Sequence, residues 1–187
     1  MKFLIVGLGN TGDDYEKTRH NIGFQVLDAM AEASGAVFSH KRYANVCEYK
    51  FKARTFILVK PTTYVNLSGK AVNYWLKKEK IPLENLLIIL DDIALPFGTI
   101  RIKEKGGDAG HNGLINISII LGHENYQRLR FGIGNDFPYG NQADFVLSKW
   151  TDEESIKLPE RIDKIIEAIK SFATIGISRT MNQFNNS

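Results

Sequence analysis

The 187 residues contain one cysteine, five prolines, no apolar run long enough to span a bilayer and no strong excess of charge of either sign. Each shortage excludes something. One thiol cannot build a disulfide framework, and Cys47 lies in the alternating stretch Val46-Cys47-Glu48-Tyr49-Lys50-Phe51, which suits strand packing rather than nucleophilic chemistry. Residues 1–6 carry one cation and run straight into a glycine turn, so neither a signal peptide nor a membrane span is expected, and the cytosol is the expected compartment. No H-E-x-x-H or H-x-x-E-H pattern and no cysteine cluster occurs, so neither a metal site nor another cofactor site is predicted. A formal charge of +3 and a pI near 8.9 permit a polyanionic partner, but only through a local patch and not a global field. Internal repeats, low-complexity tracts and Ser/Gly linkers are also missing, and the length suits one domain with its own core.

What is present alternates. Short apolar runs at 3–8, 56–59 and 86–90, bounded by Gly, Pro or Asp, read as strands buried on both faces. Between them helical spacing recurs in Ile22, Val26, Leu27, Met30 and Ala31, in Val72, Trp75 and Leu76, and in Leu114, Ile117, Ile120 and Leu121. Thr151-Asp152-Glu153-Glu154 has the form of a capping box and opens a C-terminal amphipathic helix through Ile162, Ile165, Ile166, Ile169 and Phe172, with a bend expected at Pro159. Segments 45–51 and 54–60 read as a hairpin. The expectation is a single α/β domain over 1–187, with a central twisted, mixed but mostly parallel sheet flanked by helices and a polar tail at 179–187 that frays.

Gly7-Leu8-Gly9-Asn10-Thr11-Gly12 matches the dinucleotide fingerprint directly after a strand, so one reading is a nucleotide-cofactor oxidoreductase built on this turn. That motif requires a helix opening at the glycines and an acid at the end of a second strand about twenty residues later. Here the polar stretch 13–20 intervenes, the helix is expected to begin near Asn21, and Asp28 and Glu32 fall inside it. What remains is a tight turn presenting Asn10 at the carboxyl end of a strand, where open α/β sheets place ligands.

Two His-Asn pairs stand at expected helix starts: His20-Asn21, and His111-Asn112 after Lys105-Gly106-Gly107-Asp108-Ala109-Gly110. Capping explains either pair alone, since Asn is a favoured N-cap. Two together, with Asn66 in Pro61-Thr62-Thr63-Tyr64-Val65-Asn66-Leu67-Ser68 and Asp91-Asp92 at a strand end, favour a site. Ser68 is the expected cap of the helix that follows. Either acid could pair with a histidine.

These residues carry a resemblance. Gly-Leu-Gly-Asn, then Tyr15 and Thr18-Arg19-His20-Asn21-Ile22-Gly23-Phe24, resembles bacterial peptidyl-tRNA hydrolases. Four further blocks agree in order and spacing: Lys60 to Gly69, Asp91 to Gly98, Gly110 to Leu114 and Arg128 to Gly134. The resemblance spans essentially the whole chain. It implies hydrolysis of the ester joining a peptide to the 3′ ribose of tRNA, which recycles tRNA from prematurely released peptidyl-tRNA, with no metal and no cofactor. It implies His20 as the base that activates water, Asp91 as its orienting partner, and Asn10 and Asn112 as amides that hold the reacting ester. Tyr15, Asn21, Tyr64, Val65, Asn66 and His111 are implied in substrate binding. Three departures stand out. Val65 replaces the usual methionine, Leu90, Asp92 and Ala94 alter the surroundings of Asp91, and Asp108 and Ala109 thin the glycine run before His111, which should stiffen that loop.

Alternation over 99–105 places Arg101, Lys103 and Lys105 on one strand face, and Arg128 and Arg130 flank Leu129 in the same way. A solvated strand face would look the same, and a non-catalytic RNA-binding module would keep these cations. The resemblance implies that Lys103 and Arg130 clamp the 5′ phosphate beside the acceptor stem and 3′ end of a tRNA held by a monomer. Lys77-Lys78-Glu79-Lys80 and the amphipathic C-terminal helix could add RNA contacts, but the short mixed-charge run reads first as a solvated helix end.

Overall fold

The computed structural model describes residues 1–187. Its strands are β1 (Lys2–Gly7), β2 (Ser39–Lys41), β3 (Ala44–Phe51), β4 (Arg54–Pro61), β5 (Leu86–Asp92), β6 (Ile100–Lys103) and β7 (Gln127–Gly132). The helices are α1 (Ile22–Ser34), α2 (Gly69–Glu79), α3 (Asn112–Leu121), α4 (Gln142–Val146), α5 (Asp152–Ile175) and α6 (Ile177–Phe184). All seven strands form one sheet in the order β2-β3-β4-β1-β5-β7-β6. β4, β1, β5 and β7 run parallel at its centre, and β2, β3 and β6 pair antiparallel at its edges. This is the mixed sheet expected from the alternation. Helices cover both faces, so the central strands need apolar residues on both sides, and every residue of β5 is buried.

One apolar layer joins α1, α5 and α6 to one face of the sheet, and a second joins α2 and α3 to the other. The chain leaves β1 toward β4 through α1 and returns from β4 to β5 through α2, on the opposite face. The strand order therefore reverses at β1. A crevice opens at the carboxyl ends of the strands at such a point, and the loops after β1, β4 and β5 meet there.

The glycine turn has a packing role in place of a cofactor role. A Cβ on Gly7 would lie 2.3 Å from the Gly23 carbonyl oxygen, and one on Gly23 would lie 2.5 Å from the Leu8 nitrogen. The end of β1 and the first turn of α1 touch backbone to backbone, which only glycines allow. The helix a dinucleotide motif would start at these glycines does not form. A short 3₁₀ turn occupies Asp13–Tyr15, a second occupies Arg19–Asn21, and α1 opens only at Ile22.

Local chemistry sets the remaining boundaries. Gly35 closes α1 at φ +70, donating to the Ala31 and Glu32 carbonyls. α5 starts with the expected reciprocal capping box of Thr151 and Glu154 and runs unbroken through Pro159. The β3–β4 hairpin turns through Lys52 and Ala53 at φ +46 and +59, left-handed values usually given to Asn or Gly, so it carries no turn signature in sequence. Two expectations need correction. Ser68 does not cap α2 through its side chain: its Oγ donates to the Val65 carbonyl, and the Gly69 amide donates to Asn116 Oδ1 of α3 instead. The tail at 179–187 does not fray. It contributes most of α6, buries Thr180 and Phe184, and lies along the free edge of β6. Asn185 pairs with both the N–H and the carbonyl of Ile102, and the Asn186 amide donates to the Ile100 carbonyl, so the tail satisfies a strand edge that would otherwise be open.

Candidate active site

Asp91 and Asp92 end a wholly buried strand, and buried carboxylates require partners. They divide the work. Asp92 Oδ1 accepts from the Ala94 amide at 2.8 Å, and its Oδ2 pairs with Arg130 Nη1 at 2.8 Å. Asp91 instead sits between two imidazoles: His20 Nδ1 lies 2.9 Å from both of its oxygens, and His111 Nε2 lies 2.9 Å from Oδ1. The sequence left open which acid meets a histidine. Asp91 does.

The surrounding bonds fix the tautomers. The Gly113 amide donates to His111 Nδ1 at 3.1 Å, so that nitrogen offers a lone pair and the ring hydrogen sits on Nε2, directed at Asp91. His111 is thus also the N-cap of α3. On His20, the nitrogen facing the carboxylate must be the donor, which leaves Nε2 as a lone pair with no protein partner. Burial pulls the His20 imidazole down, but the charge of Asp91 and its hydrogen bond push up harder, so the net shift is upward from the ordinary histidine value. Burial alone would raise the Asp91 carboxyl. The two histidines reverse this and hold it well below the usual carboxylate range.

His20 is placed by its loop. The Arg19 amide donates to the Ser148 carbonyl, and the buried Arg19 guanidinium bonds Ser148, the Lys149 carbonyl and Glu154 while lying 4.5 Å over the Phe145 ring. Those contacts tie the histidine turn to α4 and to the start of α5. On the other side, Asn21 Oδ1 accepts from the Asn10 amide at 2.9 Å while its Nδ2 donates to the Asn10 carbonyl at 2.8 Å. The Asn10 side chain in turn accepts from the Val65 amide at 2.7 Å, which leaves its Nδ2 hydrogens without a protein partner.

These groups line a cleft of about 420 Å³ bounded by Asn10, His20, Val65, Asp91, His111 and Asn112, with Arg130 also in its wall. Asn112, the first residue of α3, is exposed there and its side chain makes no hydrogen bond. Asn66 is exposed on the turn beside Val65 and does not line the cleft. Tyr64 is exposed as well and meets Tyr15 edge to face at 6.4 Å, joining the loops after β1 and β4. Lys103 is exposed on β6, whereas Arg130 is largely buried, with its Nε unpartnered.

For Arg128 the alternative of a solvated strand face does not hold. It is 1% exposed and donates to the Gly107, Glu124 and Tyr126 carbonyls, so it anchors the glycine loop from below. In that loop Ala109 takes φ +50, and Asp108 Oδ1 accepts from the Gly110 amide at 2.8 Å. Sequence reading missed the other wall of the cleft, where Gln142, Ala143 and Val146 of α4 stand with Leu147. It also missed that His20, Asp91 and His111 bring ligating atoms within 4.8 Å of one another, a spacing a metal ion could use. The three come from a 3₁₀ turn, the end of β5 and the N-cap of α3, so no motif spacing announces them. In the geometry observed, a cation would have to displace both ring hydrogens that Asp91 receives.

Comparison with known proteins identifies the family. The family model described as peptidyl-tRNA hydrolase matches residues 4–187. The chain is similar to the peptidyl-tRNA hydrolases of Phocaeicola vulgatus and Bacteroides fragilis, each 60% identical over 185 residues and aligned over 99% of both chains. Its fold is similar to the crystal structure of peptidyl-tRNA hydrolase from Acinetobacter baumannii, with a TM-score of 0.91, 33% identity, and coverage of 98% of this chain and 94% of that one. No helix is long and apolar enough to cross a membrane. On the strength of a match that runs nearly from end to end, the chain belongs to the peptidyl-tRNA hydrolase family.

Proposed function

We propose that this chain hydrolyses the ester between a peptide and the 3′ ribose of tRNA, with His20 as general base. The observation that carries the reading is the Asp91 carboxylate gripping His20 Nδ1 with both oxygens, which leaves Nε2 as a free lone pair in the cleft. Nε2 takes a proton from water as the oxygen attacks the acyl carbon. Asp91 holds the tautomer and stabilises the imidazolium that forms, an effect of about 10²–10⁴ in rate for a positioned base. The uncommitted Nδ2 of Asn10 and the amide of Asn112 donate to the carbonyl oxygen as negative charge gathers there. The imidazolium then returns its proton to the departing ribose oxygen. An alcohol leaves readily, so neither a covalent intermediate nor a metal ion is required.

His111 holds Asp91 from the other side and so acts as a positioning residue. Val65 in the cleft wall, with Tyr15, Tyr64 and Asn66 on the turns outside it, would meet the 3′ end and the first peptide residues. Lys103 and Arg130 share one face of β6–β7 and sit diagonally across that pair, since Lys103 is in register with Arg128 and Arg101 with Arg130. A 5′ phosphate would bridge them, taking the Arg130 donors that Asp92 does not occupy. Such contacts ignore sequence, as an enzyme serving many tRNAs needs.

The test is to incubate the protein, as a monomer in chelator and without cofactor, with N-acetylaminoacyl-tRNA and to follow release of free tRNA. Turnover abolished in His20→Ala, with tRNA affinity kept, is the expected result. Turnover surviving His20→Ala, or lost on chelation and restored by a divalent ion, would overturn the mechanism.

A further inference from the structure

Outside the cleft, the densest unabsorbed feature is a hollow of about 660 Å³ between α2 and the β2–β3 turn. Four cations line it, Arg42, Lys70, Lys77 and Lys78, and no carboxylate does. That is a biased sample of a chain with 24 basic and 21 acidic residues. The nearest acid in sequence, Glu79, is engaged elsewhere, with Lys2 at 2.8 Å. Arg42 and then Lys70 lower the pKa of the Tyr43 phenol, and no acid opposes them.

The cations are interleaved with aromatic rings. Tyr43 and Tyr74 meet edge to face at 5.6 Å, with the Arg42 guanidinium 5.1 Å from one ring and 5.4 Å from the other. Lys78 lies 4.6 Å over Trp75. Lys70, Tyr74, Lys77 and Lys78 fall on one face of α2 by their spacing, a stripe about 12 Å long at 1.5 Å per residue. The turn that completes the hollow is strained. Tyr43 sits at φ +64 in the third position of a four-residue turn, where Gly or Asn is the usual occupant. It is held there by the Thr62 amide donating to its carbonyl and by Trp75 Nε1 donating to the carbonyl of Arg42.

The stripe lies on the helix that follows one wall of the catalytic cleft: α2 begins four residues after Val65, which lines that cleft. We infer that this basic and aromatic hollow is a second contact for the RNA of the substrate, in which phosphates meet Arg42, Lys70, Lys77 and Lys78 while Tyr43 and Tyr74 offer faces to a base or ribose. Cations on a groove with stacking rings beside them are how RNA is held without sequence preference. The inference rests on the proposed function, because it takes the substrate to be an ester of tRNA.

Two substrates separate the ideas: N-acetylaminoacyl-tRNA, and the same acyl group on a CCA trinucleotide too short to reach the hollow while its ester occupies the cleft. Wild type and an Arg42→Glu, Lys77→Glu, Lys78→Glu variant are compared across a salt series, with thermal melting to verify folding. The variant is expected to raise KM for the tRNA substrate about tenfold or more and to flatten the slope of log KM against log salt by about two to three, one unit or slightly less per lost phosphate contact. Its kcat on tRNA and its kcat/KM on the trinucleotide should stay within twofold of wild type. An unchanged KM and salt slope, with wild type cleaving both substrates, would overturn this inference and leave the proposed function standing. A matching loss on the trinucleotide would also overturn it, by showing an effect on the cleft itself. If wild type cleaved neither substrate, the proposed function would fall first.

Discussion

Replacing Asp91 by asparagine is the sharpest perturbation, because the carboxylate accepts from both His20 Nδ1 and His111 Nε2. An amide replaces one of the two oxygens by an NH₂ donor, and because both oxygens lie 2.9 Å from His20 Nδ1, either orientation sets that NH₂ against the His20 ring hydrogen. His111 is already committed, since its Nδ1 receives the Gly113 amide. The amide oxygen of Asp91→Asn therefore goes to His111, and its NH₂ faces His20, which must flip its hydrogen to Nε2. The base then points its lone pair at the protein and a hydrogen at the water. The corresponding loss in proteins that rely on a carboxylate to set a histidine tautomer approaches 10⁴ in kcat, and 10²–10⁴ is the expected range here, about 3 to 5 kcal/mol of barrier.

The same change moves the pH dependence. In wild type, Asp91 raises His20 above the ordinary histidine value against the pull of burial, so kcat should rise through a limb lying above about 6.5 as the base loses its proton. In the variant, burial acts alone, and the residual limb should fall below about 6.5. The stability signs follow from linkage. A raised His20 contributes stability that is complete below its unfolded value of about 6.5 and is lost as pH rises through the folded one. A lowered Asp91 contributes stability present above about 4 and lost as pH falls through its folded value. Both express one ion pair, so the variant should be most destabilised between roughly pH 4 and 6.5 and least at alkaline pH. The assay is tRNA release at saturating substrate from pH 5 to 9, alongside thermal melts. An Asp91→Asn enzyme within about threefold of wild type, with an unmoved limb, would refute the assigned role of Asp91, since the relay it supports is worth far more than that.

Three further outcomes are expected. Gly7→Ala would place a Cβ 2.3 Å from the Gly23 carbonyl, a backbone contact with no flexible partner to yield, and should cost about 3 kcal/mol or prevent folding, as a urea melt would show. Arg19→Ala leaves the half-buried Glu154 carboxylate with only the Thr151 amide of its capping box and unties His20 from α4, which should cost about 2 kcal/mol, or about 4–8 °C of melting temperature in a domain of this size, measured by calorimetry. Lys103→Ala should raise KM for N-acetylaminoacyl-tRNA and flatten its salt slope by about one while leaving kcat in place, a pattern unlike that of any change in the cleft.

Much of this is legible in the sequence. Residues 86–90 read as a doubly buried strand because nothing polar interrupts them, and the acids that follow could only be at its end. Loops carrying His20, Asn10 and His111 were likewise marked by glycines and strand ends, and the sheet brings them together as that grammar implies. What escaped depends on contacts far apart in sequence. Arg128 looks solvated beside Arg130 until the Gly107 and Glu124 carbonyls arrive to satisfy it. Ser68 resembles a cap until Asn116 of α3 supplies the bond. The tail at 179–187 is polar enough to fray, yet Asn185 finds the open edge of β6. α4 is five residues of mixed character and offers no periodicity to detect. The partition between Asp91 and Asp92 turns on which acid faces Arg130, information that register in one strand does not contain.

The central claim is a protonation state: His20 with hydrogen on Nδ1 and a lone pair on Nε2, titrating above the ordinary histidine value. Nitrogen-15 NMR of ring-labelled protein from pH 5 to 9 observes both atoms directly. Agreement requires a neutral form with a protonated Nδ1 and a bare Nε2, and a midpoint above 6.5 that coincides with the limb in kcat. A hydrogen found on Nε2, or a midpoint that does not track the limb, would contradict it.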